Sequence, residues 1–430
     1  MFVRKAASFV PRTQLRTFAV TQNLQNSQPW KSIEPIGLDA IKQLTIAFQA
    51  DTNPNKILLG EGVYRDDDGK PVVLKSIREA EKILYEKKLD HEYAPVTGVA
   101  SFCKGSKKFA FDPKNQEQDD RIATVQTLSG TGSLRVAAAF LNKFLPKDTE
   151  VYFPDPTWGN HNSIFNDAGF NGRIKKYPYF DAKTGGLAAD GFLAAIEKMP
   201  KGSVILLHAC AHNPTGVDPT REVWKKVSKA CKDRELVVFF DSAYQAFATG
   251  NEVDDAWAYR YFVEEDGHQV IVTQSYAKNF GLYGERTGAL HVVTGSKQEA
   301  TAVTSQLAVI IRAMYSSPPI FGARVVSTVL NDENLLKQWR VDVKEMADRI
   351  RKSREALVYE LHQAGSKRDW SHITDQIGMF AFTGLTPEQV ERLIKEQNIY
   401  MTKDGRMSIS GLNTKNIKTV AQAIHKVTSE

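Results

Sequence analysis

The sequence predicts an α/β fold. A large open sheet, mostly parallel with one antiparallel strand, is flanked by helices, and a smaller α+β domain is formed by N- and C-terminal segments. Three observations predict this. Short apolar runs alternate with amphipathic helical stretches from residue 72 to about 340. Most successive runs are far enough apart for a crossover helix, which parallel pairing requires. The last two runs are joined only by a short glycine-bearing link, too short for a crossover, so the final strand should run antiparallel.

Residues 1–28 contain Arg4, Lys5, Arg12 and Arg16 and no acid. Phe2, Val3, Ala6, Phe9 and Val10 could share one helical face, the composition of a mitochondrial transit peptide. These four cations supply most of the net charge of +6, so the rest of the chain gives no case for binding nucleic acid. No apolar run approaches the ~18 residues of a membrane span. The three cysteines, Cys103, Cys210 and Cys231, lack paired or metal-like spacing; they read as packing residues in a reducing compartment, and no metal site is expected.

Residues 29–71 read as an N-terminal arm and part of the small domain, with a helix over Leu38–Phe48 and a short strand over Lys56–Arg65 that ends in glycines. Residues 72–340 form the large domain. Its expected strands are Ile122–Leu128, Glu150–Phe153, Ser203–Ala209, Leu236–Phe240, Gln269–Thr273 and Ala289–Val293. Its expected helices include Ser133–Phe144, Ala189–Lys198 and Arg221–Arg234. Residues 341–430 complete the small domain with a long helix over Asp342–His362, strands at Ile377–Phe382 and Met407–Ser410, and helices over Pro387–Gln397 and Asn416–Val427.

In an open α/β sheet, ligands bind beyond the carboxyl ends of the strands. The run His268–Gln274 delivers Lys278, with Ser275 before it and Arg286 after it. A pocketed lysine can lose its proton and form a Schiff base with a carbonyl, and the hydroxyl and the arginine suit a phosphate. Taken alone, this stretch fits a surface lysine equally well. The other strand ends add Ser129-Gly130-Thr131-Gly132-Ser133 as an anion seat at a helix N-terminus and Trp158 as a stacking face. They also add Asn213 as a hydrogen-bond donor, and Asp241 as a carboxylate that burial makes costly without a partner. An aldehyde, a pyridinium nitrogen, a phenolic oxygen and a phosphate are together what these groups suit, which points to pyridoxal 5′-phosphate.

The motifs Tyr93-Ala94-Pro95-Val96-Thr97-Gly98, Ser129-Gly130-Thr131-Gly132, Asn213-Pro214-Thr215-Gly216, Asp241-Ser242-Ala243-Tyr244-Gln245, Ser275-Tyr276-Ala277-Lys278-Asn279-Phe280-Gly281 and Arg406 before Ser410-Gly411-Leu412 resemble those of the aspartate aminotransferases of mitochondrial kind, fold type I pyridoxal-phosphate enzymes. The resemblance runs from about Trp30 to the C-terminus. It implies that Lys278 bonds the cofactor and then shuttles the substrate proton, that Asp241 pairs with the ring nitrogen, and that Tyr244 and Asn213 bond the ring oxygen. Trp158 would stack on the ring. Ser129, Gly130, Thr131, Ser275 and Arg286 would hold the phosphate, with Tyr93 reaching it from the neighbouring subunit of a homodimer. His161 and His208 would stand behind Asp241. Arg406 would clamp the substrate α-carboxylate, Gly62 would line the substrate side, and Arg312 of the partner would hold the side-chain carboxylate. The implied activity is transamination between L-aspartate and 2-oxoglutarate in the mitochondrial matrix. An aromatic or broad-specificity aminotransferase, a decarboxylase or lyase on the same cofactor, and a non-catalytic interaction protein remain alternatives.

Overall fold

The computed structural model describes residues 30–37 and 40–429; the expected transit segment 1–28 and the first two residues of the helix expected over Leu38–Phe48 lie outside the described residues. Seven strands build the large sheet: β1 (Ile122–Leu128), β2 (Val151–Asp155), β3 (Ile174–Pro178), β4 (Val204–His208), β5 (Val237–Ser242), β6 (Val270–Ser275) and β7 (Thr287–Val293). Their order is β1-β7-β6-β5-β4-β2-β3. The pairs β6–β5, β5–β4, β4–β2 and β2–β3 are parallel, and β7 runs antiparallel to both of its neighbours.

Residue alternation along the central strands divides the core. Ile205, Leu207, Val238, Phe240, Val270 and Val272 pack on one face with Phe192, Trp224 and Phe262 from the helices Ala189–Lys198, Arg221–Asp233 and Trp257–Glu264. Val204, Leu206, Phe239 and Ile271 pack on the other with Leu134 and Leu141 of Ser129–Phe144 and Leu307 and Ile311 of Lys297–Met314. A strand buried on both faces reads as a near-continuous apolar run, which is why these strands were visible in the sequence.

A third cluster surrounds the helix Glu333–Gln363, where Trp339, Val343, Met346 and Leu357 meet Ile77, Val326, Val390, Met407 and Ile424. Here Ile57–Leu58 pairs in parallel with Ile399–Tyr400, and Phe380–Phe382 pairs antiparallel with Arg406–Ser408, so N- and C-terminal segments share one small α+β assembly.

Four expectations are corrected. The strand expected over Lys56–Arg65 shrinks to Ile57–Leu58, because the glycines and the Asp66–Gly69 turn end the pairing. The glycine loop before Ser133 is itself the first turn of the helix Ser129–Phe144. The long helix expected from Asp342 starts at Glu333, where the Asp332 side chain caps the amides of Asn334 and Leu335. Strand β3 was not anticipated: it is an edge strand carrying Lys175 and Lys176, with Tyr177 its one fully buried side chain, and charged edge strands lack a strong apolar signal.

Candidate active site

The carboxyl ends of β4, β5 and β6 lie in register, so that His208 faces Asp241 and Asp241 faces Thr273. Three polar side chains from distant parts of the sequence thus stand in one row at the sheet edge. His208 and Asp241 border a cavity of about 280 Å³ that is also lined by Gly62, Ser129, Gly130, Thr131, Trp158, Asn213, Tyr244, Ser275, Lys278, Arg286 and Arg406.

Lys278 follows β6 by three residues, and its loop is clamped from behind. Tyr276 is fully buried and its hydroxyl bonds Gln274 at 2.9 Å and the Ser106 hydroxyl. Asn279 Nδ2 donates to the Gln245 carbonyl at 2.9 Å, and the Trp339 indole N–H donates to the Asn279 carbonyl at 2.9 Å. The lysine Nζ donates to the Gly62 carbonyl. Burial, then the positive charges of Arg406 and Arg286, push its pKa down to about 8. Burial and like charge both disfavour the ammonium, so the neutral fraction near neutral pH is raised well above that of an exposed lysine. Gly62 is required at the opposite wall: a Cβ there would stand 2.9 Å from Phe380 Cζ and 3.3 Å from Lys278 Nζ.

Asp241 is buried. Burial alone would raise its carboxyl, but the hydrogen bond and charge of His161, with His208 and the Thr273 hydroxyl, hold it below the usual carboxylate value. The hydrogen bonds behind it form a continuous chain. The Asn213 backbone N–H donates to His208 Nδ1 at 3.3 Å. Burial lowers the His208 pKa to about 3, so the ring is neutral and carries its proton on Nε2. That N–H faces Thr157 Oγ1 at 3.3 Å. The threonine hydroxyl then donates to His161 Nδ1 at 2.8 Å, which leaves His161 Nε2–H to donate to Asp241 Oδ2 at 3.2 Å. Thr273 Oγ1 donates to the other carboxylate oxygen at 3.2 Å. Each link presents a donor toward Asp241 and favours its ionised form.

Replacing Thr157 with Val keeps the shape and removes the bridge between two buried imidazoles. The expected cost is about 1–3 kcal/mol, read from denaturant unfolding, while Thr157→Ser should stay within ~0.5 kcal/mol of the parent. Equal stability of the valine variant would show that the bridge carries no energy.

An anion seat lies across the cavity. Ser129, Gly130 and Thr131 form the first turn of Ser129–Phe144, whose N-terminal amides and dipole favour negative charge. Ser129 Oγ is 3.0 Å from Ser275 Oγ. Gly288 on β7 makes the approach possible, since a Cβ there would fall 2.5 Å from the Ser129 carbonyl carbon. The exposed Arg286 lines the same end and is held by Nη1 to the Tyr283 carbonyl at 3.0 Å.

The third wall carries Arg406, which is 5% exposed. Its Nη2 donates to the Gly60 carbonyl at 2.9 Å, its Nη1 stands 3.5 Å from Asn213 Oδ1, and its guanidinium lies 4.2 Å from the centre of the Phe380 ring. Among the described residues it has no ion-pair partner, which leaves a buried cation facing a cavity. With its oxygen turned to Arg406, Asn213 keeps its amide NH₂ for another acceptor.

Tyr93 and Arg312, both expected to act from a partner subunit, do not line this cavity. Tyr93 is 85% exposed. Arg312 is exposed in the last turn of Lys297–Met314 and donates to the Ser316 hydroxyl. His161 sits behind Asp241, fully buried, whereas His208 reaches the cavity wall. All three cysteines are free; Cys210 lines the cavity, and burial raises its thiol pKa.

Thr157, Thr273, Phe380, Tyr283 and Ile41, which also lines the cavity, were not singled out from the sequence. Thr157 lies within the Pro156–His161 stretch, but a hydroxyl bridging two histidines leaves no local pattern. Thr273 becomes significant only through the register of β5 with β6.

A model of aminotransferase class I and II matches residues 54–424. The chain is 52% identical over 412 residues to a mitochondrial aspartate aminotransferase of Dictyostelium discoideum, covering 96% of each chain. The structure is similar to that of a mitochondrial aspartate aminotransferase from Trypanosoma brucei, with a TM-score of 0.85 and 47% identity over 90% of this chain and 100% of that one. It is also similar to an aromatic-amino-acid aminotransferase from Burkholderia pseudomallei covalently bound to pyridoxal phosphate, with a TM-score of 0.89 and 43% identity over 93% of this chain and 99% of that one. The sheet topology, the lysine-bearing cavity and these likenesses lead to one conclusion: the chain belongs to the class I and II aminotransferase family.

Proposed function

We propose that the chain catalyses ping-pong transamination between L-aspartate and 2-oxoglutarate, giving oxaloacetate and L-glutamate, with pyridoxal 5′-phosphate as cofactor, as a homodimer in the mitochondrial matrix. The observation that carries this reading is the convergence in one cavity of Lys278 with its lowered pKa, ionised Asp241 and unpaired Arg406.

The donor set fits the cofactor. Asp241 is an anion suited to a protonated ring nitrogen, and Tyr244 and the Asn213 amide suit the ring oxygen. Trp158 offers a ring face, and Ser129, Gly130, Thr131, Ser275 and Arg286 suit a dianionic phosphate. The cofactor supplies the carbonyl and the electron sink. Lys278 supplies the attacking amine and then, freed, accepts and returns the proton of the substrate α-carbon. Arg406 orients the substrate by its α-carboxylate through paired N–H donors. Asp241, backed by His161, Thr157 and His208, keeps the ring nitrogen charged. Tyr93 and Arg312, exposed on each chain, are assigned to the partner's active site, where Tyr93 meets the phosphate and Arg312 the substrate side chain. Residues 72–340 are assigned to the cofactor-binding domain and the flanking segments, 29–71 and 341–430, to the smaller one. The mitochondrial names of the relatives and the acid-free N-terminus support the location.

Titrating the cofactor-loaded protein with aspartate tests this reading: the visible absorbance of the lysine-bound cofactor should disappear, and 2-oxoglutarate should restore it. An unchanged spectrum would overturn it. The second reading, a preference for aromatic amino acids, is favoured by the likeness to the Burkholderia enzyme. Arg312→Ala distinguishes the two. It should lower kcat/KM for aspartate by ~10²-fold or more, the scale for an unpaired charged contact, with little loss for phenylalanine. Equal losses would remove Arg312 from substrate choice.

A further inference from the structure

We propose that Tyr283 is a positioning residue that receives the free ammonium of Lys278 on the face of its ring. The Lys278 Nζ lies 4.8 Å from the Tyr283 ring centre, and its hydrogen-bond acceptor is the Gly62 carbonyl. Among the described residues the amine has no ion-pair partner. The charged groups around it are Arg406 and Arg286, which repel it, and Asp241, which borders the same cavity but is bonded to His161 and Thr273. The phenols nearby are Tyr244 and Tyr283 itself, both raised by burial and therefore neutral, Tyr283 to about 12. Among the described residues of this chain, the π face is then the stabilising group left for the cation beside one carbonyl. A ring quadrupole attracts an ammonium at this range, more strongly where water is scarce.

The ring is fixed by its own hydroxyl. Tyr283 opens the short 3₁₀ turn Tyr283–Glu285, and its hydroxyl accepts the Tyr64 backbone N–H at 2.9 Å, from a residue 219 positions away. The segment it grips is the ledge that also receives the other two cations. Gly62 accepts from Lys278, and Gly60 accepts from Arg406. Ser410 adds a bond to the Val63 carbonyl at 3.1 Å. The hydroxyl and the ring therefore have separate jobs: one anchors the ledge, the other faces the amine. A carboxylate in the ring's place would hold the ammonium strongly and keep its proton. A neutral π face and a carbonyl hold the released lysine in position while leaving the proton available. The ring thus offsets part of the penalty that burial and the two arginines impose on the charged form.

The inference rests on Lys278 being the reacting amine, and its test reads that amine directly. Full-length chain freed of cofactor is labelled with trace acetic anhydride across pH, and Lys278 acetylation is followed by mass spectrometry. The proteins compared are the parent, Tyr283→Phe, and chains with 4-fluoro-, 3,4,5-trifluoro- and pentafluorophenylalanine at 283. These keep the ring's shape while progressively cancelling its quadrupole, and their unfolding midpoints check that the fold is retained. The labelling midpoint should stay near the parent's in Tyr283→Phe and fall stepwise with fluorination, by roughly one pH unit over the series. A midpoint that does not move with fluorination overturns the proposal. So does a drop at phenylalanine that fluorination does not deepen, which would assign the effect to the hydroxyl. Either result with turnover intact leaves the role of Lys278 standing; failure of that role would instead appear as turnover surviving Lys278→Ala.

Discussion

Lys278→Ala is expected to lower turnover by at least ~10⁴-fold, since it removes both the attacking amine and the acid–base group, and to abolish the visible absorbance of lysine-bound cofactor. The loss should not come from unfolding. An exposed lysine titrates near ~10.4, while Lys278 is pushed down to about 8. The folded state therefore binds this proton less readily than the unfolded chain. The penalty begins as pH falls below the unfolded value and is complete below about 8. Removing the amine should leave the cofactor-free protein at least as stable at pH 7, measured by urea unfolding. The same sign predicts that capture of pyridoxal phosphate by the parent accelerates as pH rises through about 8. Retained turnover in the alanine variant, or capture that rises only above pH 10, would sink the assignment.

Asp241→Asn ranks second. The carboxylate receives His161 Nε2–H and the Thr273 hydroxyl while buried. An amide of the same shape loses the charge that a pyridinium nitrogen requires. It also turns one N–H₂ group toward a donor. A loss of ~10²–10³-fold in kcat is expected, the scale for removing one preorganised electrostatic partner, together with a stability loss of about 1–3 kcal/mol from the mismatched donor. Stability and kcat need to be read together. A variant that loses stability but retains kcat would make Asp241 a structural residue only.

Much of this protein was legible before its structure. Strands β4, β5 and β6 are buried on both faces, so their apolar runs marked them, and the short link before β7 announced its reversed direction. The groups at the strand ends, Lys278, Asp241, Asn213 and Ser129, could be read because one topological rule sends them to the same edge. The motifs around them carried the family resemblance that the relatives bear out. Strand β3 escaped because an edge strand with two lysines has no apolar signature. The N-terminal reach of the long helix escaped because its start depends on the Asp332 cap and on burial of Trp339 beneath the lysine loop.

The sequence by itself determined the central strands of the sheet, its reversed strand and the chemical types gathered at its edge, because these follow from local periodicity and from connection length. Tertiary structure alone decided how those groups act on one another. The register of β5 with β6 brought Thr273 to Asp241, and Thr157 oriented a chain of donors through two histidines. The ledge from Gly60 to Tyr64 met Lys278, Arg406 and Tyr283 at once. Those relations join residues up to 346 positions apart, and no local pattern records a contact whose partners are set by packing.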